Sequence, residues 1–522
     1  MRIHKYAAVI ALNGTLTSCA AEPVQNAAAE RIDVQPLTET NNGFAVDLYR
    51  QLAREHEGEN IFFSPYSMLS ALMMTAEGAR NETAAEMGKT LCFPSDLRRA
   101  SDADSLPWNI EALHKGMSAL NAQLQSPSES EDAETRNEIA KLQAEMERIE
   151  KELHERPAPS ESAYREQRRA QREAENRLNE LFTQVDQYEI HVANALWVEK
   201  TYPLRPPFVE AIESFYETGG AFEVDFKSNP ESALQRINAW VAEQTNRRIG
   251  SILTPGTLDE LTRLVLTNAI YFKGEWSEPF EERNTRQRDF LLADGDTTKT
   301  PMMKAYALES GRYAAFEADG AFFDTPDELP SDPKKAAKIA KYPDENGFAM
   351  LELPYKGERL AMVLMAPNRP DGLPDLERNL TSSKLKRWIT RLRPRRVHVK
   401  VPKFKLETSY GMKQMLQQMG MVRAFEDPRV AGGAQFGGMT TASDPNEQLW
   451  ISAVLHKALV DVNEKGTEAA AITAVVGITA GMEPPVAFTP TFEADRPFLF
   501  IIQDRPTSTI LFFGRMTKPA SA

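Results

Sequence analysis

The chain has 522 residues, of which 26% are charged, and a formal net charge of −14. That composition is the composition of a folded soluble protein, and its acidic balance excludes a general nucleic-acid binder, which needs a basic face for phosphate. Two cysteines, Cys19 and Cys92, exclude a disulfide framework.

The N-terminus reads as a targeting segment. "MRIHKY" is basic, "AAVIAL" is short and apolar, and "LTSC" follows. Residues 1–19 are therefore expected to be a signal peptide, too short to stay in a membrane. Leu16-Thr17-Ser18-Cys19 has the form of a bacterial lipobox, in which the cysteine is lipidated and becomes the new N-terminus. The expected location is outside the cytoplasm, as a cell-envelope lipoprotein or a secreted or periplasmic protein. Membrane contact is expected only through the lipid on Cys19. Residues 20–37 are then expected to be a flexible tether. In an exported protein Cys92, within "TLCFP", is expected to be a buried lone thiol.

The body begins near Thr38. Phe44, Leu48 and Leu52 recur at helical spacing. Ile61–Phe63 is a short strand. Ser64 then caps a helix with Pro65 in its first turn; Met68, Leu69, Leu72, Met73 and Ala76 line one face and Gly78 stops it. Residues 128–186 differ from their surroundings. Ile139, Leu142, Met146, Ile149 and Leu153 recur at spacings of three and four, a heptad seam. "RPAPSES" interrupts it, and Tyr164, Ala174, Leu178, Leu181 and Val185 form a second seam. This predicts an inserted antiparallel helical hairpin of coiled-coil type, either a solvated stalk or a docking arm.

After the insertion, "YEIHVANALWVEK" alternates as a strand and "PESALQRINAWVAEQT" is an amphipathic helix. "RLVLTNAIYFKGEW" is apolar enough for a central strand. A polar insertion occupies residues 319–346. "FAMLELPYKGERLAMVLMAP" reads as a hairpin about Tyr355-Lys356-Gly357, "VHVKVPKFKLET" alternates, and "SYGMKQMLQQMGM" is a helix ended by Gly420. "RPFLFIIQD" and "STILFFGRM" are buried strands joined near Pro506. Strands and helices do not alternate regularly, which predicts an α+β fold of mostly antiparallel sheets.

Catalytic signatures are missing from the sequence. The seven histidines are scattered, and no HExxH, paired CxxC, GxxxxGK[ST] or GxSxG occurs. No metal, cofactor or enzymatic activity is expected. His456 and His191 read as hydrogen-bonded structural histidines. The unusual segment is "EKGTEAAAITAVVGITAGMEPP", Glu464 to Pro485. It joins confident strands with small and β-branched residues, too apolar for an ordinary surface loop and too small to fill a core.

"NIFFSPYSMLSALMMTAEGARNETAAEM", "LVLTNAIYFKGEW", "VKVPKFKLETSYGMKQMLQQMGM", "HKALVDVNEKGTEAAAITAV" and "RPFLFII…TILFFGRM", in this order, resemble the serpins. The resemblance runs from Thr38 to Met516, apart from the two insertions, and sets the domain at 38–522. It implies three β-sheets, eight to nine helices and an exposed reactive-centre loop at 464–485. It implies a suicide substrate for a serine protease, or alternatively a cysteine protease, whose cleaved loop enters the large sheet. The hinge would be Glu464, Lys465, Gly466, Thr467, Glu468, Ala469, Ala470 and Ala471. Of these, Thr467 and the three alanines are small residues acceptable in water and in a sheet, Gly466 is a flexible pivot, and Glu468 is expected on the exposed face. The insertion site would include Asn268 and Trp276. Counting from Glu464 as the family spaces it places the reactive bond at Ala480-Gly481, with Thr479 and Met482 as alternates. Ala480 suits an elastase-like or subtilisin-like pocket. The remaining reading is a non-inhibitory binding or surface-scaffold member. A monomer is expected.

Overall fold

The longest apolar runs of the sequence become strands buried along their whole length. In β10 (Leu360–Pro367), β17 (Phe498–Asp504) and β18 (Thr509–Met516) every residue is buried. The structure is a computed structural model. It describes residues 32–99, 107–125, 188–216, 219–325, 345–441, 448–467 and 488–519, with a few isolated positions between 138 and 177. The signal segment, residues 20–31 of the expected tether, the body of the 128–186 hairpin and most of the 319–346 insertion lie outside the described residues; residues 35–37 of that expected tether are instead the start of a helix, with Leu37 buried.

Strands, numbered in chain order, form three sheets. One has eight strands: β1 (Ile61–Phe63), β18, β17, β10, β9 (Phe348–Pro354), β7 (Arg312–Phe316) and β11 (Arg393–Pro394) in order, with β8 (Phe322–Phe323) on β7. A second has four: β16 (Thr491–Glu493), β12 (Val397–Pro402), β6 (Thr297–Leu308) and β5 (Arg286–Leu291). The third has six: β13 (Phe404–Gly411), β14 (Ile451–Asn463), β15 (Gly466–Thr467), β4 (Leu264–Glu275), β2 (Tyr188–Glu199) and β3 (Gly219–Val224). Nine α-helices lie among the described residues. The α+β class, the three sheets and the helix number agree with the sequence reading.

Helix α1 (Gln35–Glu55) packs on β18, and α2 (Pro65–Gly78) lies between β18 and strands β2 and β4. The Ser64 side chain caps α2 as predicted, accepting from the Ser67 amide at 3.1 Å, while its hydroxyl donates to the Leu511 carbonyl at 2.6 Å. The six-stranded sheet is covered on its other face by helix Pro230–Gln244, whose Ile237 and Val241 pack with Trp197, Val265 and Ala269. Both faces of β4 are thus buried, which is why "LVLTNAIYF" carries no alternation.

Local departures have local causes. "VHVKVPKFKLET" reads as one alternating run, yet β12 and β13 belong to different sheets. Pro402 has no amide to donate, and the Lys403 amide turns to the Pro301 carbonyl at 2.8 Å. The helix predicted from Ser409 starts only at Lys413, because β13 keeps Ser409–Gly411 paired to β14. α1 starts at Gln35, ahead of Thr38. Cys92 is half-buried at φ +60°, a left-handed position, and burial pushes its thiol up to about 12.

In the eight-stranded sheet the Glu352 side chain is fully buried. Arg312 Nη1 lies 3.1 Å and Arg505 Nε 3.3 Å from its Oε1, and Gln503 Nε2 donates to Oε2 at 3.1 Å. Removing the carboxylate leaves two guanidinium groups facing a buried position. Glu352→Ala is expected to destabilise the protein by about 3–5 kcal/mol, measured by denaturant unfolding.

Candidate functional site

Strands β4 and β14 run parallel and pair directly from Ile451↔Leu264 to Leu459↔Tyr271. Beyond Tyr271 they part, and the chain folds back between them. Gly466 and Thr467 form β15, antiparallel to both neighbours: Thr467 pairs with Val462 on one side and Gly274 on the other. The sequence reading left the whole segment outside the sheets. Its first two residues are instead already inside.

The reason is the fit at this end of the sheet. Gly466 lies so close to β4 that a Cβ would meet the Gly274 carbonyl oxygen at 2.1 Å. Glycine is therefore required here by close approach as well as by φ +153°. Thr467 is fully buried, and its hydroxyl shares a hydrogen bond with the Tyr355 hydroxyl at 2.9 Å. Tyr355 stacks on Trp276 with ring centroids 4.6 Å apart. The Trp276 amide donates to the Lys465 carbonyl at 2.8 Å, and its indole Nε1 to the Asn463 carbonyl at 3.0 Å. The Phe280 amide holds the Glu464 carbonyl at 2.7 Å.

Charge anchors the same turn. Lys403 Nζ lies 2.9 Å from Glu464 Oε2, and Lys465 Nζ lies 3.5 Å from Glu282 Oε1. Burial pushes the Glu464 carboxyl up, but hydrogen bonds led by that of Lys403 outweigh it and hold the group below the ordinary carboxylate range.

Midway along the parallel ladder lies a buried polar network. His456 on β14 pairs with Asn268 on β4. The Ser64 amide donates to His456 Nε2 at 3.1 Å, so the ring proton sits on Nδ1 and is donated to Asn268 Oδ1. Asn268 Nδ2 donates to Ser67 Oγ at 2.5 Å and to Asn194 Oδ1. Asn194 Nδ2 returns a bond to the Ser67 carbonyl at 3.2 Å. The network ties β2, β4 and β14 to the start of α2, and each of its buried side chains has a hydrogen-bond partner within it.

Of the predicted site residues, Glu464, Lys465, Gly466, Thr467 and Trp276 come together at the end of the six-stranded sheet. Asn268 lies lower, within the polar network. Glu468, Ala469, Ala470 and Ala471, the bond candidates Thr479, Ala480, Gly481 and Met482, and the lipidation candidate Cys19 fall outside the described residues. Sequence reasoning missed Tyr355, which reads only as a turn residue, and the partnership of His456 with Asn268, Ser67 and Asn194. Nothing in the local pattern links these four positions, which lie on separate elements.

His456 supplies a pH test. Burial pushes its imidazole down from 6.5 to about 3. The unfolded chain takes up a proton near pH 6.5 that the folded chain refuses until about pH 3. Its stabilising contribution is thus complete above pH 6.5 and is lost as pH falls, by up to about 1.4 kcal/mol per pH unit. Unfolding midpoints measured from pH 7 to 5 should fall more steeply for the wild type than for His456→Gln.

Comparisons with known proteins bear on the whole chain. The family model described as Serpin (serine protease inhibitor) matches residues 39–151 and 146–519. Serpin B3 of Homo sapiens is 33% identical over 485 residues, covering 92% of this chain and 99% of its own. An uncharacterized serpin-like protein of Thermococcus kodakarensis is 34% identical over 489 residues, covering 93% of this chain and 86% of its own. Leukocyte elastase inhibitor of Bos taurus is 32% identical over 495 residues, covering 93% and 100%. Among solved structures, uncleaved ovalbumin superimposes with a TM-score of 0.65 at 24% identity, covering 92% of this chain and 100% of its own. That last likeness speaks to fold. With this sheet arrangement, and with family-wide similarity along nearly its full length, the chain belongs to the serpin family.

Proposed function

We propose that the chain inhibits serine proteases as a suicide substrate, and that residues 464–485 are its bait. The observation that carries this reading is Thr467 buried between β14 and β4 at the head of a parallel ladder. Extending the register of β15 residue by residue brings Ala469 opposite Val460 and Phe272, Ala471 opposite Ala458 and Ile270, and Thr473 opposite His456 and Asn268. The neighbouring strands end at Ile451 and Leu264, opposite residues 478 and 477. Once β4 and β14 separate, the slot between them would therefore accept the segment almost up to the expected bond at Ala480-Gly481.

In that extended register Glu468 would fall on the face that carries Lys273 and Asp461, both half-exposed. The buried face receives Thr467, Ala469, Ala471 and Thr473, small enough to enter without desolvating a charge.

In this mechanism the protease serine attacks the carbonyl of Ala480. An ester forms, the peptide bond breaks, and the new amino terminus at Gly481 leaves. The freed arm then slides between β4 and β14. One parallel ladder opens and two antiparallel ladders form; antiparallel pairing is the slightly more stable kind. A gain of about ten backbone hydrogen bonds at ~0.5–1.5 kcal/mol each amounts to about 5–15 kcal/mol. The bond from His456 to Asn268 must open on the way, and Thr473 arrives between them with a hydroxyl able to bond either. The tethered protease is dragged along the sheet. A displacement of ~1 Å in its catalytic residues costs about 10²-fold in rate, so the ester is not hydrolysed. Ala480 favours elastase-like or subtilisin-like targets.

We further propose export with lipidation at Cys19. Labelling with a radioactive fatty acid should be abolished by Cys19→Ala, and labelling that persists in that variant refutes the assignment.

Incubation with an elastase-like or subtilisin-like protease should give a complex that survives SDS, with the cut located by mass spectrometry at Ala480-Gly481. Thr467→Arg cannot occupy the buried site beside Tyr355 and should turn the inhibitor into a cleaved substrate. Loop cleavage without complex by every protease tried would refute inhibition. Cleavage of the wild type should also raise Tm by at least about 10 °C, measured by calorimetry on intact and nicked samples.

A further inference from the structure

Charge is unevenly spread along this acidic chain. The net charge is −14, yet no aspartate or glutamate occurs between Glu377 and Glu407, and residues 384–396 hold seven lysines and arginines. Those residues form the helix Ser382–Ile389 and the edge strand β11 beyond it. The helix is two-sided: Leu385 and Trp388 are buried, while Lys386 and Arg387 are exposed. Trp388 fixes it to the body, its indole Nε1 donating to the Gly320 carbonyl at 3.0 Å. The guanidinium groups of Arg391 and Arg393 lie 5.2 and 5.3 Å from the centroid of the Phe322 ring. The ring positions both groups without neutralising either.

Little opposing charge reaches this face. Arg393 pairs with Asp324 at 3.1 Å and Arg396 with Glu309, and all four side chains are exposed. Lys386 meets Glu39 only at 3.9 Å. Lys384 Nζ donates to Asn379 Oδ1 at 2.7 Å. Among the described residues no carboxylate pairs with Arg387 or Arg391. Exposed ion pairs are weak, so the face stays positive. It also lacks the apolar centre of a protein interface: none of the exposed large hydrophobic side chains comes from residues 382–396. Pro394 denies an incoming strand a ladder hydrogen bond at the sheet edge. Planar guanidinium groups held in place suit phosphate oxygens.

The position of the face chooses among phosphate-bearing partners. The contact of Lys386 with Glu39 sets the helix beside the first turns of α1, about 6 Å along the helix axis from Gln35. The chain from Cys19 to Ile32 spans at most about 45 Å, less than the ~50 Å width of a body of this size. A lipid on Cys19 therefore keeps the basic face within reach of the membrane that holds it.

We propose that the helix Ser382–Ile389, with Arg391 and Arg393, is a membrane-contact face that binds anionic phospholipid headgroups and lays the body on the bilayer. The proposal rests on the lipidation of Cys19 only for the choice of a membrane as partner. A lipid chain and a polybasic patch together give stable attachment. Each cation near an anionic surface adds to binding, and salt screens it.

The test uses the full chain carrying Cys19→Ala, so that no lipid contributes, and reads co-sedimentation with vesicles. The protein should bind vesicles rich in phosphatidylglycerol, ignore pure phosphatidylcholine, and be released by high salt. Adding Lys386→Glu/Arg387→Glu/Arg391→Glu should lower the partition coefficient by at least about 10-fold. Lys89→Glu/Arg247→Glu/Lys518→Glu changes the net charge equally at three exposed positions elsewhere and should leave partition within about 2-fold. Both triple variants are checked for unchanged Tm. If the first melts lower, Arg387→Glu alone is scored, with an expected loss of about 3-fold. Absence of binding to the anionic vesicles would overturn the proposal, and so would equal losses in the two triple variants. Retention on dextran sulfate that depends on the first triple, without vesicle binding, would also overturn it, because the face would then serve a soluble polyanion. Fatty-acid labelling of Cys19 is read separately on the wild type, so either proposal can fail without the other.

Discussion

The parallel ladder between β4 and β14 is the constraint on which the rest of the molecule depends. Parallel strands need a long crossover between them and pair slightly less favourably than antiparallel ones. Here they are held side by side in the centre of a sheet whose two faces are both buried. A strand of opposite direction could satisfy the backbone groups of each better than they satisfy one another. β15 is such a strand, two residues long. The exchange of pairing in the proposed mechanism is therefore confined to one seam and does not call for a loose core. The surrounding packing, from Phe272 and Tyr355 to the aromatic stack of Tyr49 and Phe513, is dense.

Two kinds of interaction keep that seam closed. At its end, Trp276, Tyr355 and the Lys403–Glu464 pair grip the turn that leads into β15. At its middle, His456, Asn268, Asn194 and Ser67 bridge three strands and a helix start. Neither is a simple stabiliser. A buried polar network holds one arrangement only while all its members are satisfied, which makes it resistant to drift yet open to exchange with an incoming hydroxyl. The four-stranded sheet has a different task. It holds the chain that follows residue 487, the His398 amide donating to the Pro490 carbonyl at 2.9 Å.

How much of this was legible in the sequence depends on the range of the interaction. Ser64 as a helix cap, the hairpin about Tyr355-Lys356-Gly357 and the buried strands at the C-terminus follow from local chemistry, and the structure has them. The division of "VHVKVPKFKLET" between two sheets was not legible, because alternation says which face a residue takes but not which neighbour it meets. A bulge in β6, where Tyr306 and Ala307 together oppose His398 of β12, leaves no mark in "MMKAYALES", since it exists only against β12. The early burial of Thr467 was missed for a similar reason. A small hinge residue is compatible with a position outside the sheet or within it, and the choice is made by the space that Gly274 and Tyr355 leave.

By itself, the sequence determined that this is an α+β chain without a catalytic signature and with a long strand-competent segment set between buried strands. Hydrophobic period, turn chemistry and the order of motifs carry that information locally. Tertiary structure alone decided that β4 and β14 lie parallel and part beyond Tyr271, that Thr467 fills the opening, and that His456 meets Asn268. Those contacts join residues up to two hundred positions apart, and only the burial of both faces of one sheet brings them within hydrogen-bonding distance.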